Sequence, residues 1–285
     1  MPEIEKHIKI IKNKIAQRTF IKPIDYIYII NLDLRPEKME RSNFQLNNFG
    51  IFPCRFPAIY GWTLSQNVFD DIGLKFLPPM DFQFDRQIFF HMESDQTGQP
   101  ERLDSSSYGK TCVHKGTSAG SLGGSLSHLS CMQDAYVSGY QTIWILEDDF
   151  TLTDDPHLLT HYIDRLDSLT NKNWDALYTD DDHYFPIQEE KVFHLRPDRP
   201  KVEHKYEHSP LDYDFFKIGG RWQLHSVIYR RSGIRKILNY IKQIGLFHTL
   251  DIELNFTPYF NAYNLRCGLI HGRNRNISDT QVQHF

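Results

Sequence analysis

The run Tyr26-Ile-Tyr-Ile-Ile-Asn-Leu32 is rich in β-forming residues and shows no alternation of apolar and polar positions. It is far too short to cross a membrane. A short run of this kind fits a strand buried on both faces, as in a parallel sheet covered by helices. Pro36 and Glu37 then open a helix over 37–48 that Gly50 stops, and a second strand follows over 55–59. Strand, helix, strand at this spacing is a βαβ unit, and the C-terminal end of its first strand faces a crevice.

The same alternation continues downstream. Leu122, Leu126, Leu129, Gln133 and Val137 repeat at helical spacing, and Thr142-Ile-Trp-Ile-Leu146 is a second wholly buried strand. Helices over 157–169 and 232–243, with strands over 174–179 and 226–230, complete an α/β pattern without internal repeat or linker. The chain therefore reads as one α/β domain over 23–285, a mostly parallel central sheet flanked by helices. Residues 65–115 break the pattern with Pro78-Pro79, Gln96-Thr-Gly-Gln-Pro100 and Ser105-Ser-Ser107, and read as a long irregular insertion. Ile4, Ile8, Ile11 and Ile15 at helical spacing among lysines predict a basic amphipathic helix over 1–22, a segment suited to peripheral contact with a membrane surface.

Composition narrows the function. A formal charge of −4 gives no basic field for nucleic acid. The 4 cysteines are scattered without a CxxC pair, which fits reduced thiols better than zinc or a disulfide framework. Residues 1–18 mix charges throughout, so no signal peptide is expected and a cytoplasmic location follows as the expectation.

The sharpest chemical signal is Glu147-Asp148-Asp149, directly after the apolar strand. Three carboxylates at a strand end repel one another unless a cation joins them, and oxygen ligands suit Mg²⁺ or Mn²⁺ beside a phosphate. On an extended strand Glu147 and Asp149 point one way and Asp148 the other. A second acidic cluster, Asp180-Asp181-Asp182, follows the strand over 174–179 and is a candidate for acceptor contact or base. The glycines of Gly116-Thr-Ser-Ala-Gly120 and Gly123-Gly124 lack the P-loop pattern, and HExxH is absent. A helix opening near Thr249 offers Asp251 and Glu253 as carboxylates oriented by free backbone N–H groups.

Several ordered segments resemble glycosyltransferase family 25, which contains lipooligosaccharide galactosyltransferases and the catalytic domain of collagen β-galactosyltransferases. They are Tyr28-Ile-Ile-Asn-Leu-Asp-Leu-Arg35 with Arg41, Arg55-Phe-Pro-Ala-Ile-Tyr-Gly61, Lys115-Gly116, Leu126-Ser-His-Leu129 and Ile143-Trp-Ile-Leu-Glu-Asp-Asp149. Trp174-Asp-Ala-Leu-Tyr178, Trp222-Gln-Leu-His-Ser-Val-Ile228, Leu250-Asp-Ile-Glu-Leu254 and Ile277-Ser-Asp-Thr280 continue the series. Ser121 departs from the family pattern, standing where an acid is usual.

The resemblance implies a GT-A fold in which an Asp-x-Asp-type motif holds Mn²⁺ (or Mg²⁺) on a UDP-sugar, UDP-galactose foremost. It implies Glu147, Asp149 and His271 at the metal, and Asn31, Leu32, Arg35, Ser127, His128, Asp148, Trp222 and Arg273 around the nucleotide-sugar. It favours Asp251 over Glu253 as the base, with Asp180, Asp181 and Asp182 as the rival group. The acceptor would be a glycan, a glycolipid such as lipooligosaccharide, or a glycoprotein. Two other classes fit clustered acids on an α/β sheet: a metal-dependent nucleotidyltransferase or phosphohydrolase, and a non-catalytic sugar-binding module.

Overall fold

The computed structural model describes residues 3–12, 14, 19–78, 88–89, 105–114, 116–181, 207–272 and 279–280. In chain order the elements are β1 (Tyr26–Asn31), α1 (Pro36–Asn47), β2 (Cys54–Pro57), α2 (Gln66–Ile72), β3 (Leu74–Lys75), β4 (Ile88–Phe89) and β5 (Thr111–His114). There follow α3 (Ala119–Val137), β6 (Thr142–Glu147), β7 (Phe150–Leu152), α4 (Leu158–Thr170), β8 (Ala176–Tyr178), β9 (His208–Pro210) and β10 (Phe215–Ile218). The last are β11 (Ser226–Arg230), α5 (Arg231–Ile244), α6 (Leu250–Leu254), β12 (Ala262–Leu265) and β13 (Ile270–Gly272).

Eight strands form one mixed sheet in the order β2-β1-β6-β11-β8-β12-β10-β9. Six of the eight strands run the same way; β11 and β10 run against them. The apolar strands are uniform because each feeds two cores. Tyr26, Tyr28 and Ile30 of β1, with Ile143 and Ile145 of β6, pack in the cluster beneath α3 and α5. Ile27 and Ile29, with Trp144 and Leu146, pack in the opposite cluster beneath α1 and α4. Alternate side chains of a strand point to opposite faces, so burying both faces removes every polar position. The helix that follows β1 thus lies on one face and the helix that leads into β6 on the other. The crevice opens between the C-terminal ends of those two strands, where the connections diverge.

Among the described residues of 1–22 the expected α-helix is not formed. Residues Ile4–His7 make one 3₁₀ turn, after which Ile8 is extended. The helical hydrogen bonds are replaced by contacts with α3: Lys9 N–H donates to Ser130 Oγ at 3.0 Å and Ile11 N–H to Asp134 Oδ1 at 3.0 Å. Ile4 is buried in the core, and Lys14 lies against the Tyr26, Tyr28 and Tyr140 rings beside Asp134.

The stretch expected to be irregular also carries order. α2 precedes β3, which pairs with β5, and β5 pairs with β4, both antiparallel. Leu74, Phe76, Cys112 and Phe247 form its own small core. Strands of two to four residues are too short to leave a periodic signal. Cys112 and Cys131 are buried thiols, Cys54 is half-buried and Cys267 exposed. Among the described residues no helix is long and apolar enough to cross a membrane.

Candidate active site

A cleft of about 600 Å³ opens at the carboxyl ends of β1, β2 and β6. Leu32 and the 58–62 loop form one wall, the N-terminal half of α3 another, and Glu147, Asp148 and Asp149 the floor; Lys38, Asp279 and Thr280 close the rim.

The register of β11 builds the centre of the site. Ser226 pairs with Leu146, and Glu147 N–H donates to His225 O at 3.0 Å, so His225 stands directly beside the acids. Its Nδ1 lies 3.1 Å from Glu147 Oε2 and 3.3 Å from Asp149 Oδ1. One ligand atom from each of Glu147, Asp149 and His225 falls within 4.8 Å of the others. His128 approaches from α3, with Nε2 3.0 Å from Glu147 Oε1. Burial pushes the Glu147 carboxyl up, but hydrogen bonds from His128 and His225 outweigh it and hold the group well below the usual carboxylate range. Burial alone would lower His225; the Asp149 and Glu147 carboxylates overcome it and push the imidazole up to about 11.

Asp148 turns away from this cluster, as strand alternation expects. Asn31 Nδ2 donates to its Oδ2 at 2.6 Å and Lys38 Nζ stands 3.9 Å from its Oδ1. Burial pushes its carboxyl up to about 7, against the opposing pull of Asn31 and Lys38.

The donor set suits a divalent cation. Two carboxylates and an imidazole meet at one point, with His225 Nδ1 standing between Glu147 Oε2 and Asp149 Oδ1. The imidazole that the fold brings beside Glu147 and Asp149 is that of His225, and the expected His271 lies apart from them. His271 sits on β13 with its side chain 54% exposed, and its Nδ1 engages the Asp181 carboxylate. Its neighbour Gly272 does reach the site: a Cβ there would meet His225 Cδ2 at 2.4 Å, so only glycine lets the imidazole pack on this segment.

The remaining expected residues divide by what they touch. Leu32 and His128 line the cleft. Ser127 also borders it, but its hydroxyl donates to Gly123 O and accepts from Ile59 N–H at 2.8 Å each, so it holds the 58–62 wall. Asn31 is buried and fully engaged with Asp148, Arg35 O and Arg55. Arg35 donates from Nε and Nη2 to Asp279 Oδ1 at 3.0 and 2.7 Å. Trp222 packs half-buried against the core. Asp180 is fully buried in a bidentate pair with Arg221, and Glu253 is fully buried, accepting from Phe247 and His248 N–H. Asp251 is half-buried and accepts from Thr249 Oγ1, Ile252 N–H and, at 2.9 Å, Gln223 N–H. Asp182 and Arg273 lie outside the described residues.

Sequence reasoning missed His225, Lys38 and Asp279. His225 carried a usable signal, a polar residue immediately before an apolar strand. The other two become neighbours only in the fold: Lys38 Nζ donates to Asp279 Oδ2 at 2.5 Å across 241 positions. Trp62 Nε1 and Ser118 Oγ donate to the carbonyls of Asp279 and Thr280, drawing this dipeptide over the cleft.

The crevice at the carboxyl edge of an α/β sheet is where such folds bind their ligands. The family model "Glycosyltransferase family 25 (LPS biosynthesis protein)" matches residues 24–253. The chain belongs to glycosyltransferase family 25. A "Glycosyltransferase 25 family member" from Aedes aegypti is 47% identical over 58 residues, which are 19% of this chain and 9% of that protein. Among solved structures, A197 from STIV matches at TM-score 0.27 with 12% identity, covering 50% of this chain and 63% of that one. A mannose-1-phosphate geranyltransferase from Thermus thermophilus matches at 0.29 with 10% identity, covering 52% and 49%. Scores this low carry no argument.

Proposed function

We propose that this chain transfers a hexose, galactose foremost, from a UDP-sugar to a hydroxyl of a glycan, lipooligosaccharide or hydroxylysine-type acceptor, with inversion. The observation that carries the reading is the convergence of Glu147, Asp149 and His225 at the floor of the cleft. These three residues would hold Mn²⁺ or Mg²⁺, which when bound neutralises charge building on the departing diphosphate. His128 keeps the Glu147 carboxylate oriented. Lys38, at the rim, offers a cation to the phosphates. The 58–62 wall and Leu32 give the nucleotide a largely apolar bed.

In the reaction the bond from the anomeric carbon to UDP breaks as the acceptor oxygen bonds to that carbon. The hydroxyl proton passes to a carboxylate on the side away from UDP. Asp251 is proposed for that role. Unlike Asp180 and Glu253 it is only half-buried, and it is linked to His225 through Gln223. Asp181 is the rival base.

The test is UDP release from a panel of UDP-hexoses, with and without Mn²⁺ and with a glycan and peptide acceptor panel. Metal-dependent release that an acceptor accelerates supports the reading. Cleavage of the nucleotide itself, or no release with any donor, overturns it.

A further inference from the structure

Gln223 has φ +67°, a left-handed conformation that residues other than glycine rarely adopt. Two contacts accompany that backbone. Its N–H donates to Asp251 Oδ2 at 2.9 Å, and its side-chain Oε1 lies 3.1 Å from His225 Nε2. The other ring nitrogen of His225 faces Glu147 and Asp149.

An imidazole nitrogen can serve a cation only through its lone pair, so when Nδ1 does so the proton must sit on Nε2. A buried N–H needs an acceptor, and the carboxamide oxygen of Gln223 is the one placed to receive it.

We infer that Gln223 is a positioning residue: its Oε1 fixes His225 in the Nε2–H tautomer that presents Nδ1 to the cation, while its backbone N–H holds Asp251. The inference rests on the proposed metal site and names the residue that prepares it.

The experiment is Mn²⁺ binding to the full chain without donor, followed by the electron paramagnetic resonance signal of the free ion. Gln223→Met keeps the shape and removes the acceptor. Gln223→Gly removes the side chain at a φ that glycine adopts freely, so folding is not at stake. Gln223→Glu keeps an acceptor. Met and Gly should weaken Mn²⁺ by roughly 10- to 100-fold, the usual effect of losing such a partner, while Glu stays within about threefold of wild type. Melting temperatures without metal should match for wild type, Met and Glu. Asp149→Asn is the control for the site itself. If wild type binds no better than Asp149→Asn, the metal reading fails. If wild type binds better than Asp149→Asn but Met and Gly bind as wild type does, the inference about Gln223 is overturned.

Discussion

His128 Nε2 meets Glu147 Oε1 at 3.0 Å, bridging the central helix α3 to the end of β6. The imidazole is buried, and its Nδ1 makes no hydrogen bond among the described residues. A side chain that spends its one polar contact on a carboxylate at the cleft floor orients that carboxylate. His128→Leu should therefore weaken Mn²⁺ binding about tenfold or more, whereas His128→Gln, whose amide can still donate, should keep most of it. Calorimetric titration of both variants checks this; equal affinities would remove His128 from the site.

Asp149 shares the His225 imidazole with Glu147 and makes no ion pair with a lysine or arginine among the described residues. If a divalent ion carries several kcal/mol of transition-state stabilisation, Asp149→Ala should lower hexose transfer by roughly 10²–10⁴ at about 1.4 kcal/mol per decade. Excess EDTA should do the same to wild type. Undiminished turnover in EDTA would contradict the metal role.

The central strands were legible because their sequences answer to two cores at once. Tyr26, Ile27, Tyr28, Ile29 and Ile30 alternate between the two hydrophobic clusters, so no reading except a doubly covered strand fits them. The acids at 147–149 were legible for the same reason, as charges following a strand with no exposed face. The isoleucines at 4, 8 and 11 misled because helical spacing is also compatible with an extended strap, and the deciding partners, Ser130 and Asp134, lie more than a hundred positions away. His225 and His271 illustrate the same limit. Both are followed or preceded by apolar residues, and only the antiparallel pairing of Ser226 with Leu146 decides which imidazole reaches the carboxylates.

The glycines of α3 show a feature whose purpose is packing rather than a phosphate cradle. A Cβ on Gly123 would stand 2.4 Å from Gly61 N and 2.5 Å from Ile59 O, both backbone atoms that cannot swing aside. A Cβ on Gly124 would meet only Thr280 Cγ2 at 3.6 Å. Gly123→Ala should cost about 1–3 kcal/mol through overpacking, and Gly124→Ala should be neutral or stabilising by up to about 1 kcal/mol from helix propensity. Urea unfolding of the two variants measures the contrast. Equal stabilities would mean that the 59–61 wall yields.

Asp279 ties the chain's end to α1 and gives stability a pH dependence. Burial raises its carboxyl, but Lys38 and Arg35 outweigh that and hold it below the usual range. The folded value is depressed, so the contribution is fully present above the unfolded value near ~3.9 and is lost as pH falls through the folded value. Asp279→Asn should cost about 1–3 kcal/mol at neutral pH, with the difference from wild type shrinking below about pH 4. Unfolding at pH 7 and pH 3 tests it; a difference independent of pH would show that the charge is not what stabilises.

Asp251 gives the last and most direct test of the chemistry. Its two oxygens accept from Ile252 N–H and Gln223 N–H, both at 2.9 Å, and Thr249 Oγ1 adds a third contact. This fixes the carboxylate without burying it. In Asp251→Asn one oxygen becomes an N–H₂ donor, which must face either the Ile252 or the Gln223 amide. The substitution should thus cost about 1 kcal/mol of stability, a modest loss that leaves the fold intact. Transfer to an acceptor should fall far more, by about 10²–10⁴, because the amide cannot take the hydroxyl proton. UDP and Mn²⁺ should still bind, since the cleft and its floor are untouched. Hydrolysis of the donor by water should fall with transfer if both use the same base. Calorimetry for UDP and Mn²⁺, run beside a transfer assay on Asp251→Asn and Asp181→Asn, separates the outcomes. A transfer-competent Asp251→Asn alongside an inactive Asp181→Asn would move the base to the residue that now engages His271.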